Sequence, residues 1–189
     1  MKKIVFTVLI FLSFMLNVYA KEDLSKQAIA FYSDNNYSKT LDTILRIEEN
    51  ERTALDWLIL GNLLDEKEQK QEALFMYQKA VNTDSKCYKA YYNMGNIYLE
   101  DDKNNMAVES YKKALKINKE NPYIYYNLGC AYIKLGRIKD AKSSLLKAVT
   151  LNNNIAEIHY NLAYVYKNLN KQKTAQIYLD NYNKLTETF

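Results

Sequence analysis

Laid over itself so that Trp57 falls on Tyr91, this sequence matches in four successive copies without a gap, and a chain made of one short unit repeated in register has few ways to fold. Trp57, Tyr91, Tyr125 and His159 share a column, as do Leu60, Met94, Leu128 and Leu162. The next residue is small in every copy: Gly61, Gly95, Gly129 and Ala163. One turn on come Leu64, Tyr98, Tyr132 and Tyr166. Further along Ala73, Ala107, Ala141 and Ala175 align, followed by Tyr77, Tyr111, Leu145 and Leu179, then by Ala80, Ala114, Ala148 and Tyr182. Within each half of the unit the steps are of three or four positions, which puts these columns on one face of an α-helix. Each copy is therefore predicted to be two amphipathic helices, held antiparallel by short polar links such as Asp101 to Asn105 and Gly136-Arg137. Small residues in the Gly61 and Ala73 columns let the two helices approach, while the Trp57 and Tyr77 columns fill the space around that contact.

The composition agrees with an all-α class. Four Gly and one Pro in 189 residues leave little material for β-turns, whereas Ala, Leu, Lys, Glu and Gln are plentiful and favour helix. The columns resemble the tetratricopeptide repeat: an aromatic, an apolar residue with Gly, an aromatic, then Ala, an aromatic and Ala, within a unit of about 34 residues. Tyr125-Tyr126-Asn127-Leu128-Gly129 and Tyr111-Lys112-Lys113-Ala114-Leu115 carry that resemblance most clearly. It implies a right-handed α-solenoid of antiparallel helix pairs, with repeats at 54–87, 88–121, 122–155 and 156–189. The departures are mild: the closing Pro is missing from all four copies, Ala163 replaces Gly, and Tyr182 stands where a small residue belongs. Residues 21–53 fit a degenerate helix pair, with Phe31 and Tyr32 closing its first helix and Leu41, Ile44, Leu45 and Ile47 in its second. Such a terminal copy is expected to be a cap with a polar outer face.

Residues 1–20 stand apart from the repeats. Lys2 and Lys3 precede an apolar run from Ile4 to Val18, and Val18-Tyr19-Ala20 offers compact residues at the positions a signal peptidase reads. A cleaved secretory signal peptide is expected, giving a mature chain that starts at Lys21 and is periplasmic or secreted, with a bacterial envelope as its setting. Retention as an anchor is the alternative; the run of about 15 residues falls short of the roughly 20 that span a bilayer. No stable membrane anchor is expected after cleavage.

Removing Lys2 and Lys3 leaves 24 basic residues against 22 acidic ones, a balance that does not suggest a nucleic-acid partner. The densest basic run, Lys112, Lys113, Lys116 and Lys119, spreads around a helix as a solvated face does. A whole repeat separates Cys87 from Cys130, too far for a disulfide. With His159 in yet another repeat they make no zinc site, so no metal or cofactor is expected. His159 occupies the aromatic column and is expected to pack between helices. Asp101-Asp102 and Glu48-Glu49 fall at helix ends, where acids cap or solvate. No phosphate loop or nucleophile elbow is present, and the chain is not expected to be an enzyme.

In the family the columns resemble, the first helix of each pair lines a concave face that holds an extended peptide or a partner's helix. Carried onto this chain, that face includes Leu58, Tyr92, Tyr126 and Tyr160, then Ile59, Asn93, Asn127 and Asn161, and one turn later Asn62, Asn96, Cys130 and Tyr164. Tyr supplies stiff contact area and Asn both a donor and an acceptor, which suits a peptide backbone. The same residues equally suit a structural role in stacking neighbouring repeats. Relatives that grip a C-terminal carboxylate do so with basic residues where this chain has Leu58, Tyr92, Tyr123 and Asn127, so binding is expected to depend little on salt. The expected function is an exported scaffold or adaptor for a protein or peptide partner. One alternative is a structural protein that forms homo-oligomers through its C-terminal helix, where Tyr182 and Phe189 lie; another is a carbohydrate binder using Tyr rings as platforms.

Overall fold

The computed structural model describes Met15 and residues 23–187, so the predicted signal at 1–20 lies outside the described residues apart from Met15. Among the described residues every regular element is helical. Residues 23–33 (α1) lead into α2 (Tyr37–Leu45) and a single 3-10 turn, Glu49–Glu51. Then come α3 (Ala54–Asp65), α4 (Lys70–Thr83), α5 (Tyr88–Glu100), α6 (Asn104–Ile117), α7 (Pro122–Lys134), α8 (Ile138–Leu151), α9 (Ala156–Asn168) and α10 (Gln172–Thr186). The chain divides into two compact units, the first ending at Ser85 and the second beginning at Lys86.

The turn within each pair has a fixed geometry. Asn35, Glu68, Asp102, Gly136 and Asn170 all have φ between 56° and 69°, the left-handed region. Gly, Asn and Asp enter it at low cost; Glu68 does so against its Cβ. At the next residue of the turn, the backbone N–H of Gln69, Lys103, Arg137 and Lys171 reaches back to the carbonyl of Leu64, Tyr98, Tyr132 and Tyr166, at 2.8–2.9 Å. These bonds satisfy carbonyls that the ending helix leaves bare.

In the first unit, α3 and α4 meet along Ala73, Tyr77 and Ala80, none of which is exposed. A Cβ built on Gly61 would stand 2.4 Å from Tyr77 Cε1, so glycine is what lets the ring lie across the helix. The degenerate pair follows the same plan: Ala28 takes the Gly61 place, and Thr40, Ile44 and Ile47 take those of Ala73, Tyr77 and Ala80. All four are buried. Asp56 begins α3 in a capping box with Thr53 and is fully buried. Its Oδ2 accepts from Thr53 N, Thr53 Oγ1 and Ser25 Oγ of α1, at 2.7–2.9 Å.

The second unit stacks three pairs. Ala107, Tyr111, Ala114, Ala141, Leu145 and Ala148 are completely buried, and Ile124, Ile158, Leu162 and Val165 close the core between pairs. Gly95 and Gly129 meet Tyr111 and Leu145 as Gly61 meets Tyr77. Pro122 at the first position of α7, with the Asn121 side chain accepting from Tyr123 N and Ile124 N, gives that helix a defined start.

Candidate functional site

The Asn and Tyr residues of the first helices are largely spoken for by one another. In the second unit, Asn96 Oδ1 accepts from Tyr111 Oη at 2.9 Å and from Asn127 Nδ2 at 2.9 Å. The same Asn127 amide donates to Tyr92 Oη at 3.1 Å. One amide oxygen on α5 therefore ties its own partner helix, α6, to the next pair through α7. A step along, Asn161 Nδ2 points at Cys130 Sγ, 3.2 Å away. The first unit has a comparable knot: Tyr77 Oη donates to Asn62 Oδ1 at 3.0 Å, and Asn62 Nδ2 to Tyr32 Oη at 3.1 Å.

This ladder is partly shielded from water, with Tyr77 and Tyr111 completely buried and its other members half-buried. Burial raises the hydroxyl pKa of Tyr92, Tyr111 and Tyr126 above the ordinary tyrosine value, and raises that of the Cys130 thiol. At neutral pH all four keep their protons and act as neutral hydrogen-bonding groups. His159, the lone histidine, is buried against Tyr178 with its Nε2 2.7 Å from Asn153 O, a packing position.

Of the twelve residues assigned to a groove from the sequence, Leu58 and its neighbour Ile59 must be corrected. Leu58 is only 4% exposed and Ile59 2%, so both belong to the core of the first unit. Asn62, Tyr92, Asn93, Asn96, Tyr126, Asn127 and Asn161 are half-buried. Tyr160 and Tyr164 are the open ones, at 54% and 45% exposure, and Tyr123 on α7 joins them at 52%. Tyr160 leans on Tyr182 of α10, with ring centroids 5.3 Å apart. Beside these rings lies a cleft of about 330 Å³ between α9 and α10, lined by Tyr160, Ala163, Tyr164, Lys167, Gln176 and Leu179 among others.

The net charge of the whole chain conceals an uneven distribution. Residues 86–189 carry 16 basic against 9 acidic side chains, a net +7, while residues 23–85 carry 7 against 12, a net −5. Two oppositely charged units cancel into near neutrality. No cluster of His, Cys, Asp or Glu able to hold a metal occurs among the described residues, and no described helix is long and apolar enough to cross a membrane.

Comparison with known proteins bears on the fold and the family. Family profiles described as tetratricopeptide repeat match residues 57–87, 122–155 and 144–177, and one described as TPR repeat matches 95–136, together more than half the chain. Among curated proteins none matches this sequence. Solved structures of MamA are similar in fold. MamA AMB-1 aligns with a TM-score of 0.75 at 19% identity, over 89% of this chain and 93% of that one. MamA MSR-1 gives 0.73 at 20%, over 89% and 98%. A MamA RS-1 double mutant gives 0.76 at 18%, over 89% and 95%. At such identities the likeness is one of fold alone.

Proposed function

This chain belongs to the tetratricopeptide repeat family, and from that premise we propose that it is an exported scaffold holding a partner protein or peptide against the first-helix face of its second unit. The observation that carries the reading is the exposure of Tyr123, Tyr160 and Tyr164 on α7 and α9, while the neighbouring Tyr92, Asn96 and Asn127 are occupied in tying repeats together. Wide, stiff rings with one hydroxyl each bind by area and shape at low entropic cost. Leu58, Tyr92, Tyr123 and Asn127 stand where carboxylate-gripping relatives place basic residues, so a free C-terminal carboxylate is not what this face grips. Export rests on the positive start and apolar run of residues 1–20, and the setting it supports is a bacterial envelope or the medium outside it.

Two measurements test this. Expression of the full chain followed by fractionation and N-terminal sequencing should return an envelope or secreted protein that begins at Lys21; an intact Met1 in the cytoplasm refutes export. Affinity capture from envelope extracts should retain a partner on the wild type and lose it on a Tyr123→Ala, Tyr160→Ala, Tyr164→Ala variant whose circular dichroism is unchanged. Equal capture by both would move the binding surface off the first helices.

A further inference from the structure

Inside the second unit, the groove between the helices of one pair is filled by the first helix of the next: α7 lies on α6, and α9 on α8. The filling helix uses three positions of one face. On α7 these are Ile124, Asn127 and Ala131, and on α9 Ile158, Asn161 and Val165. The four apolar residues are completely buried. Each Asn donates to the pair beneath it, Asn127 to Asn96 and Tyr92, and Asn161 to Cys130.

The α9–α10 pair presents the corresponding groove, with Tyr182 where the interior pairs have Ala114 and Ala148. Tyr160 and Tyr164 stand two repeats on from Tyr92 and Asn96, the two groups that receive Asn127. The cleft is lined by the nearly buried Ala163 and Ala175 and by the more open Gln176 and Leu179. Nothing among the described residues covers it, and neither the Tyr160 nor the Tyr164 hydroxyl has a hydrogen-bond partner among them.

We propose that this groove is the docking site for a single amphipathic α-helix of a partner protein. That helix carries an apolar residue, Asn three positions later and a second apolar residue four beyond, with acidic residues flanking them. This rests on the scaffold reading and deepens it, naming the place and the ligand's chemistry. Three observations select the occupant. The groove continues an interface that the chain already uses twice with helices of this pattern. Two tyrosine hydroxyls wait where an Asn amide is received in the interior repeat. Lys167 borders the cleft in a unit of net charge +7, which favours acidic flanks.

A second copy of this chain fits less well. The corresponding face of its α1 offers Asp23, Lys26 and Ala30, all exposed and largely polar, as a capping helix should. Two α9–α10 faces placed together would oppose Lys167 to Lys167 and one +7 unit to another.

The test uses the isotope-labelled mature chain and, as probe, a synthetic peptide of residues 154–170, which spans this chain's own α9. Saturable amide shifts confined to α9 and α10 are expected, and a peptide with Asn161→Leu should bind about fivefold more weakly for the lost hydrogen bond. Gln176→Trp, on an exposed wall residue, should abolish the shifts without altering the fold; Leu179→Arg provides a second block. Absence of saturable shifts, shifts elsewhere, or equal binding by the Asn161→Leu peptide overturns the proposal. So does a dimer in sedimentation equilibrium that Gln176→Trp dissolves, since the groove would then belong to a second copy. If a captured envelope partner is lost with the triple Tyr→Ala variant yet retained by Gln176→Trp, the scaffold reading stands and this inference falls.

Discussion

Gly95→Ala puts the helix-pair geometry to a test in which the sign of the effect decides. In an exposed helix that substitution gains about 1 kcal/mol, because alanine forms helix more readily than glycine. Here the added Cβ would stand 2.5 Å from Tyr111 Cε1 and 2.7 Å from Cδ1, against roughly 3.5–4.0 Å for comfortable carbon contact. About 1 Å must be found. The ring cannot simply retreat, because Tyr111 is completely buried and its hydroxyl is bonded to Asn96. Parting α5 from α6 overpacks the contact, at about 1–3 kcal/mol. Swinging the ring instead gives up a hydrogen bond of about 0.5–1.5 kcal/mol. Set against the propensity gain of about 1 kcal/mol, the overpacking cost leaves a net loss of up to about 2 kcal/mol. Urea unfolding followed by far-ultraviolet circular dichroism measures it as a lower midpoint at unchanged slope. The sequence provides a control: Ala163 fills the same column opposite Leu179, a half-exposed side chain with room to move. There Ala163→Gly should cost about 0.5–1 kcal/mol from propensity alone. A Gly95→Ala variant more stable than the wild type would refute the close-approach argument.

Three other expectations follow from the same contacts. Glu68→Gly removes a Cβ from a left-handed turn residue with φ of 58° and should raise stability by about 0.5–1 kcal/mol; a loss in urea titration would show the turn is not strained. Asp56→Ala deletes the capping box of α3 and the acceptor of the buried Ser25 hydroxyl, and should lower stability by about 2–3 kcal/mol; a change under about 0.5 kcal/mol would contradict the capping role. Stability should fall as pH rises above about 10: the buried hydroxyls of Tyr92, Tyr111 and Tyr126 have raised pKa values, so tyrosines of the unfolded chain ionise first and draw the equilibrium their way. Tyr111→Phe should shallow that decline between about pH 9.5 and 11, and an unchanged profile would remove Tyr111 from the account.

The helix pairs were legible because their columns are set by packing that recurs in every copy, so each copy corroborates the others. Leu58 was misplaced for a reason visible afterwards. Column alignment put it beside Tyr92, but Trp57-Leu58-Ile59-Leu60 is an unbroken apolar run, the mark of a helix covered on more than one side. The hydrogen-bond ladder also had a sequence signature. Tyr77 follows Asn62 at the same interval as Tyr111 follows Asn96, and where the tyrosine becomes Leu145 the asparagine becomes Cys130. Donor and acceptor disappear together, as they must when neither can stay buried alone. The opposed charges of the two units were hidden by summing over the chain.

That exchange at Cys130 also sets an order of opening. Asn96 carries two hydrogen bonds, one within its pair and one to the next, and melting the α7–α8 pair would break the bonds from Asn127 to Asn96 and to Tyr92. At the following junction a sulfur, a weak acceptor, receives Asn161, and Leu145 offers no hydroxyl. The seam between α7–α8 and α9–α10 is accordingly the softer one, and amide exchange should begin at α9 and α10 while α5 to α8 stay protected. The pair that holds the open groove is then also the pair that breathes most readily, and any helix seated there would act as a clasp on the end of the unit.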